Sequence, residues 1–543
     1  MTQRATKEVA KGEYMSNYRT RHRLMPAALL AALCCSETAQ AQLTDLTQTP
    51  NQEGAGIVKS LEQQIGAGVG NAMTPDSSTF ITLRDPGRAV RRGRQLFQRK
   101  FTLAQGLGPR TQDGIGDISQ IGAIGAGIID SCAGCHGRPR GSAGFGGDVV
   151  TRPDSRDAPH LFGLGLQEML ADEITTELRQ IRQSTIDEAR ARRQTVAKPL
   201  RSKGVSYGVI RASASGNVDT NGVVGVNRDL RVRPFFAQGD TTSIREFVIG
   251  AFNDEMGLQA VDPLTVRAAA GQRVVTPTGM VLNGATDVVK RSLVTTPADD
   301  QDLDGKVNEI PTSLVDFMEF YLFNYFKPGT YQHTNNAQIG QNLLVTVGCT
   351  ACHIPNLVVN RDRRIADVET TYDTNRGIFN SLYAVASMLV SENDDGSGHP
   401  TIKVPMRNSF MVRNFYADMK RHDIGPGFYE RNYDGTIRKE FITEPLWGVG
   451  SSAPYAHDGR SINLKEVILR HGGEAASSRN AFARLSSGQQ NSIFEFLNTL
   501  VLFPPDDTAS NLDPGDRGNP TFPQRGHGSI RLSELFNDPT DLE

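Results

Sequence analysis

A chain of 543 residues with 38% hydrophobic residues is long enough for a sizeable core and for more than one domain. Its formal charge of −2, from 58 Lys/Arg against 60 Asp/Glu, and the lack of any basic tract exclude the electrostatic footprint of a nucleic-acid binder.

In chain order, a basic stretch (Arg19, Arg21, Arg23) precedes the apolar run Met25–Cys35, and Ala39-Gln40-Ala41 offers a small-residue cleavage signal. Residues 1–41 are therefore expected to be a signal peptide, because an apolar run of about ten residues is half of what a membrane span needs. The expectation is a periplasmic or secreted protein whose mature chain has no transmembrane segment. Its charge would be −5, because the leader carries six Lys/Arg and three Asp/Glu.

Gly93-Arg94-Gln95-Leu96-Phe97 then leads, through the Gly/Ile-rich segment 106–129, to Ser131-Cys132-Ala133-Gly134-Cys135-His136. Beyond it the charged stretch Glu168–Arg193 predicts a helix, Val205–Val232 alternates in the manner of hairpins, and Ser243–Phe252 predicts a second helix. Asp300, Asp302, Asp304 and Gly305 have the DxDxDG rhythm of a calcium loop. Pro311 stands where an EF-hand needs its bidentate Glu, so the expected site is a shortened loop closed by Glu309, with an acidic surface turn as the alternative. The apolar-aromatic run Leu314–Phe326 ends at Pro328-Gly329, the expected domain boundary.

The lead repeats as Gly340-Gln341-Asn342-Leu343-Leu344, nine positions before Cys349-Thr350-Ala351-Cys352-His353. Ile493, Phe494, Phe496, Leu497, Leu500 and Val501 then form a helical stripe opened by Ser486/Ser487 and stopped at Pro504-Pro505. The expected architecture is mainly α: two cytochrome c-like haem domains, 42–328 and 329–505, with loop and hairpin insertions, and a Pro/Gly/Asp-rich tail over 506–543.

Two of the six cysteines (Cys34, Cys35) lie in the leader, and the other four make the two CxxCH motifs, leaving none for a disulfide. CxxCH is the attachment pattern of c-type haem. Two thiols on one turn reach the two porphyrin vinyls as thioethers, and the adjacent imidazole meets the iron. That makes Cys132, Cys135, Cys349 and Cys352 the attachment residues and His136 and His353 the proximal ligands. A zinc site would have to join knuckles ~200 residues apart, and a redox dithiol gives the following His no task.

Trp447-Gly448-Val449-Gly450, Ala453-Pro454-Tyr455-Ala456-His457-Asp458-Gly459-Arg460 and Ile468-Leu469-Arg470-His471-Gly472-Gly473-Glu474 resemble the di-haem oxidoreductase family. That family is related to bacterial di-haem cytochrome c peroxidases and to the haem rubber oxygenases. Arg156-Asp157-Ala158-Pro159-His160, Asn253-Asp254-Glu255-Met256-Gly257 and His422-Asp423-Ile424-Gly425 extend the likeness over about 85–505. In the peroxidase relatives an axial ligand lies fourteen positions after the His of His-Asp-Gly, which here is His471. The resemblance thus implies a bis-histidine second haem, His353 and His471. It leaves His457 as a propionate or inter-domain hydrogen-bonding residue, or simply a packing His, and Arg460 as a propionate partner or an ordinary surface Arg.

The relatives carry a distal His shortly after the first CxxCH, but Gly137–Ser155 contains none. The first iron is then either open to peroxide or dioxygen or ligated from elsewhere, with His160 and Met256 as candidates. An open iron needs proton-moving groups nearby, and Gln167, Glu168 and Glu173 are the nearest in sequence. Tyr321, Tyr325 and Trp447 are candidates for the path between the haems. The implied function is a peroxidase fed by a small cytochrome or other electron donor, with an oxygenase or a plain electron carrier as alternatives.

Overall fold

The computed structural model describes residues 60–108, 129–137, 148–149, 156–325, 327–330, 333–372, 382–432, 434–502, 518 and 520. The expected leader, nearly all of the expected tail, most of the 106–129 insertion and most of 137–155 lie outside them.

Seven helices position the sites: α1 (Pro86–Gln98), α2 (Leu164–Arg192), α3 (Ile244–Met256), α4 (Thr312–Phe323), α5 (Asn335–Thr346), α6 (Leu464–Arg470) and α7 (Ser487–Leu497). Most begin where a short polar side chain satisfies the first orphan N–H groups. Asp85 accepts from Arg88, Ser243 from Glu246, Thr334 from Ala337 and Asn463 from Glu466, and Ser486 with Gln489 forms a capping box.

The repeated Gly in the two lead segments has one physical cause. A Cβ on Gly93 of α1 would lie 2.3 Å from the Phe317 carbonyl oxygen of α4, and one on Gly340 of α5 would lie 1.9 Å from that of Ser492 in α7. Each glycine lets a leading helix cross a closing helix in backbone contact.

Each crossing sits in its own apolar core. Leu96, Phe97, Phe252, Phe317 and Tyr321 belong to the larger core, which Cys132 packs against and which also takes in Phe415 and Trp447 from far along the chain. Leu344, Tyr416, Leu464, Phe496 and Leu497 form a smaller one, against which Cys349 packs. In the larger core, Arg245 of α3 is fully buried among Asp262, Asp316 and Glu319, at 2.7, 2.8 and 2.7 Å. That network ties α3 to α4, since a buried guanidinium is tolerated only when its donors are matched.

The expectation of a mainly α fold is overturned. Helix makes up 38% and strand 17%, with nine small sheets among the described residues. One is a three-stranded antiparallel sheet, Val196–Ser202, Val205–Ala212 and Val218–Asp219, bulged between Pro199 and Arg201. The hairpins therefore begin before Val205, and the Pro at the bulge disguised the first strand. Many of the others lie between Leu357 and Ile442, where two-stranded ribbons follow the second CxxCH. Gly329–Thr330, at the expected boundary, pairs with Leu500–Val501 just after α7.

Candidate haem sites and the segment between them

Cys132–His136 form a single helical turn. Cys349–Ala351 form another, entered through Gly348 at φ 88°, a conformation that favours glycine. None of these four cysteines is paired in a disulfide. Burial pushes Cys132 up to about 12, helped by Cys135, and Cys349 up to about 11. Cys135 is also pushed up to about 11 by burial and by the nearby Glu255. A redox dithiol needs a depressed thiol pKa, so these pairs are poor dithiols. Among the described residues, no metal-type cluster joins one pair to the other.

The histidines show their chemistry through their second nitrogen. His136 Nδ1 lies 2.7 Å from the Pro159 carbonyl, His353 Nδ1 2.8 Å from that of Tyr416, and His471 Nδ1 2.7 Å from that of Val467. A carbonyl only accepts, so each Nδ1 carries the proton and each Nε2 keeps its lone pair. That is the arrangement a metal-bound imidazole needs, oriented from behind by a backbone oxygen. His353 and His471 are near enough that His471 helps burial to lower His353, which falls to about 4.

Local structure explains His471. It ends α6 with non-helical dihedrals and turns back to the Val467 carbonyl, one of the acceptors a helix C-terminus leaves unpaired. Gly472 N–H donates to the Ile424 carbonyl at 2.7 Å, and a Cβ on Gly473 would meet the Asp423 oxygen at 2.1 Å. The His422–Gly425 strand end thus pins the loop, and Phe428 packs its ring 5.1 Å from His471.

The first site differs. His160 Nε2 lies 3.0 Å from the Trp447 carbonyl while its Nδ1 accepts from Phe162 N–H at 3.2 Å, so neither nitrogen is left for an iron. Burial lowers its pKa to about 4. Met256 is buried in the larger core at the end of α3. Of the expected proton-moving groups, Glu168 is fully buried, accepting from Ile244 N–H at 2.7 Å and facing Arg363 at 3.3 Å. Burial pushes it up to about 8, against the pull of Arg363. Glu173 pairs with Lys203 at 2.6 Å and caps the Asn360 and Arg361 N–H groups. Both carboxyls hold the scaffold. Gln167 is buried in the first turn of α2.

Residues 157–160 form a wedge between the sites. The Pro159 carbonyl accepts from His136 Nδ1–H, Asp157 N–H donates to the His457 carbonyl at 2.9 Å, and His160 donates to the Trp447 carbonyl. Aromatic rings run the same way. Tyr321, whose hydroxyl is raised by burial, by Tyr325 and by Cys132, lies 5.1 Å from Tyr325, and Tyr325 lies 5.0 Å from Phe162. Next to Phe162, a Cβ on Gly163 would touch the Trp447 ring at 2.7 Å. Trp447 stacks edge-on with Phe415 at 4.9 Å, and the carbonyl of Tyr416 beside it accepts the hydrogen bond from His353 Nδ1. The Trp447 Nε1 donor is buried with no partner among the described residues. Such an orphan asks for an acceptor, and a porphyrin carboxylate supplies one, so the side chains present fit two haems.

His457 lies flat on Phe441, ring centroids 4.1 Å apart. Arg460 is 56% exposed and 3.7 Å from Asp458, whose stronger partner is Arg470 at 2.9 Å. Asp300, Asp302 and Asp304 do converge, with oxygens within 4.8 Å of one another. Glu309 is instead buried and accepts from Gln259 N–H at 2.7 Å.

Residues 377–500 match the family described as di-haem oxidoreductase, putative peroxidase. The match supports a di-haem oxidoreductase, and it spans Trp447, His457 and His471 while beginning after both CxxCH motifs. No curated protein matches the chain. Among solved structures, a hydrazine synthase of Kuenenia stuttgartiensis, pressurized with 20 bar xenon, is similar at 15% identity with a TM-score of 0.21, over 35% of this chain and 56% of that one. The chain thus spans little more than half of that structure, and a likeness of this size carries no inference. No described helix is long and apolar enough to cross a membrane.

Sequence reading overlooked Asp418, which is buried with His422 beside Cys352, and the more exposed Glu474 completes the cluster. His422 and Glu474 stood in quoted motifs, but Asp418 lies on irregular backbone, where no periodicity marks it.

Proposed function

We propose that this chain is an exported, periplasmic di-haem c-type oxidoreductase of peroxidase type, with chemistry at the Cys132/Cys135 site and electron transfer at the Cys349/Cys352 site. The observation that carries the reading is the unequal bonding of the histidine nitrogens. On the second side His353 and His471 both hold a lone pair on an Nε2 anchored from behind. On the first side His136 does so, while His160 has both nitrogens committed.

When bound, the haems would supply one-electron chemistry and, where an iron is open, two-electron reduction of peroxide to water. The chain's own residues divide the remaining work. His136, His353 and His471 are the iron ligands, and Pro159, Tyr416 and Val467 fix their tautomers. Trp447, with Tyr321 and Tyr325, lies on the path between the sites, and its Nε1 is the donor for a propionate. Gln167 is left to orient a bound oxygen species by hydrogen bonding, because its amide does not titrate and Glu168 and Glu173 are engaged elsewhere. A small cytochrome or similar donor would supply the electrons. The Asp300, Asp302 and Asp304 carboxylates are the calcium ligands of this proposal, with Glu309 outside the set.

Electron paramagnetic resonance of the haem-loaded protein tests the reading. A high-spin ferric signal beside a low-spin bis-histidine signal is expected, with peroxide consumed at the expense of a reduced donor. Two low-spin ferric signals in the oxidised protein, with no high-spin signal at any stage of reduction, would leave a plain electron carrier. Oxygen uptake with a hydrophobic polymer, and no peroxide turnover, would point to an oxygenase.

A further inference from the structure

The cluster beside Cys352 has no task in the reading above. His422 is 5% exposed and Asp418 1%. His422 Nε2 lies 2.9 Å from Asp418 Oδ2, and its Nδ1 lies 2.8 Å from Glu474 Oε2. Ionised carboxylate oxygens only accept, so each ring nitrogen must bring a proton, and an imidazole with two N–H groups is a cation. Burial works against that cation, yet the two carboxylates and the Cys352 sulfur outweigh it, raising His422 to about 11.

The cluster is held from several sides. The Tyr207 hydroxyl donates to the Asp418 carbonyl at 2.9 Å, and Glu474 also accepts from Asp423 N–H at 3.0 Å. The charged neighbours on the same strand are occupied elsewhere. Arg421 bonds Asn227, and Asp423 accepts from the Tyr429 hydroxyl at 2.9 Å. Cys352 Sγ, an Asp418 oxygen and a His422 nitrogen all lie within 4.8 Å of one another. Three such atoms would suit a metal ion, but a thioether at Cys352 takes that sulfur out of the set.

We propose that the Asp418, His422 and Glu474 cluster sets the reduction potential of the haem attached at Cys349 and Cys352, with His422 as the cation that offsets the two carboxylates. This rests on a haem at that motif but not on His471 as its ligand. The physical reason is sign. Ferric iron carries one more positive charge than ferrous, so a nearby anion favours the oxidised form and a cation the reduced one. Inside the protein such charges are weakly screened. With His422 in place the cluster carries a net −1; without that cation it carries −2, and without the Asp418 anion it carries zero. His422 and Asp418 are thus positioning residues that act through the electrostatics of the site.

The test is a spectroelectrochemical titration of the haem-loaded protein. His422→Gln keeps a donor in place but removes the cation, and is expected to shift the reduced-to-oxidised equilibrium of that haem about tenfold toward oxidised, ~59 mV downward for a one-electron couple. Asp418→Asn is expected to shift it by a similar factor the other way. Glu474→Gln, whose side chain is 51% exposed, should move it upward by less, because solvent screens it; it also carries the sign if Asp418→Asn does not fold. General loosening of the site would move every variant in one direction. Shifts of the same sign in His422→Gln and the carboxylate variants, or shifts all within about twofold, would overturn the proposal. Paramagnetic resonance on the same samples reads the ligand set separately, so a haem without the bis-histidine signal would sink that assignment while these shifts still decide this one.

Discussion

The two CxxCH regions are built alike and finished differently. Each pairs a leading helix with a closing helix across a glycine, packs its first cysteine on the resulting core, and turns its histidine with a backbone carbonyl. The second region then adds His471, anchored through Nδ1 like His353. The first presents His160, which has both nitrogens bonded, and Met256, which is buried in the core. The lesson is that nearness of a histidine to a metal site says little. What its second nitrogen is bonded to decides whether the first one can bind iron.

The bluntest way to break the comparison is to remove one attachment pair. Cys349→Ser with Cys352→Ser should leave one covalent haem per chain in place of two, counted by haem stain after denaturation, and Cys132→Ser with Cys135→Ser should do the same for the other. If either double variant kept both haems, that motif would not be an attachment site.

A smaller change exposes the inequality. His471→Ala should leave both haems attached yet abolish the low-spin bis-histidine signal, turning the second site high-spin or solvent-ligated. Met256→Ala at the first site should leave the spectrum as it was. An unchanged low-spin signal in His471→Ala would refute the ligand assignment.

Backbone fit gives a weaker perturbation. Gly473 has φ 48°, and a Cβ there would press on the Asp423 carbonyl oxygen. Gly473→Ala should cost on the order of 1–3 kcal/mol and put a fraction of the second haem into a high-spin form as the His471 loop moves off. Gly93→Ala forces the α1–α4 crossing apart instead, so its cost should appear in urea unfolding without touching the low-spin signal.

How much of this was legible beforehand follows from the kind of signal involved. CxxCH is local and dictated by porphyrin geometry, so the motifs stood out. Helices α2, α3 and α7 were legible from their residue patterns, each within a few residues of where they lie, whereas α4 stood out only as an apolar-aromatic run. The ribbons between Leu357 and Ile442 did not, because two- to seven-residue strands are too short to set a period, and their presence overturned the mainly α expectation. The sequence offers Glu168 and Glu173 as proton-moving groups, but α2 runs through the core and its acids are needed to hold Ile244, Arg363 and Lys203. Such long-range partners leave no mark in sequence spacing.

The finest test concerns His160, whose variant should change stability and leave the spectrum alone. Gln in its place can replace at most part of the bonds to the Trp447 carbonyl and the Phe162 N–H, so His160→Gln should cost about 1–3 kcal/mol at pH 7.5. A pH series sharpens this. Burial holds the folded-state pKa of His160 at about 4, against ~6.5 when unfolded. Between those values the unfolded chain takes up a proton that the folded chain refuses. The contribution is therefore fully present above about pH 6.5 and is lost as the pH falls toward 4, by on the order of 3 kcal/mol in all. His160→Gln should remove that component, so the gap between parent and variant in urea unfolding should narrow from pH 7.5 to pH 4.5. Were His160 instead the sixth ligand of the first haem, its loss would convert a low-spin signal to high-spin, and the two regions would no longer differ in the way their histidines imply.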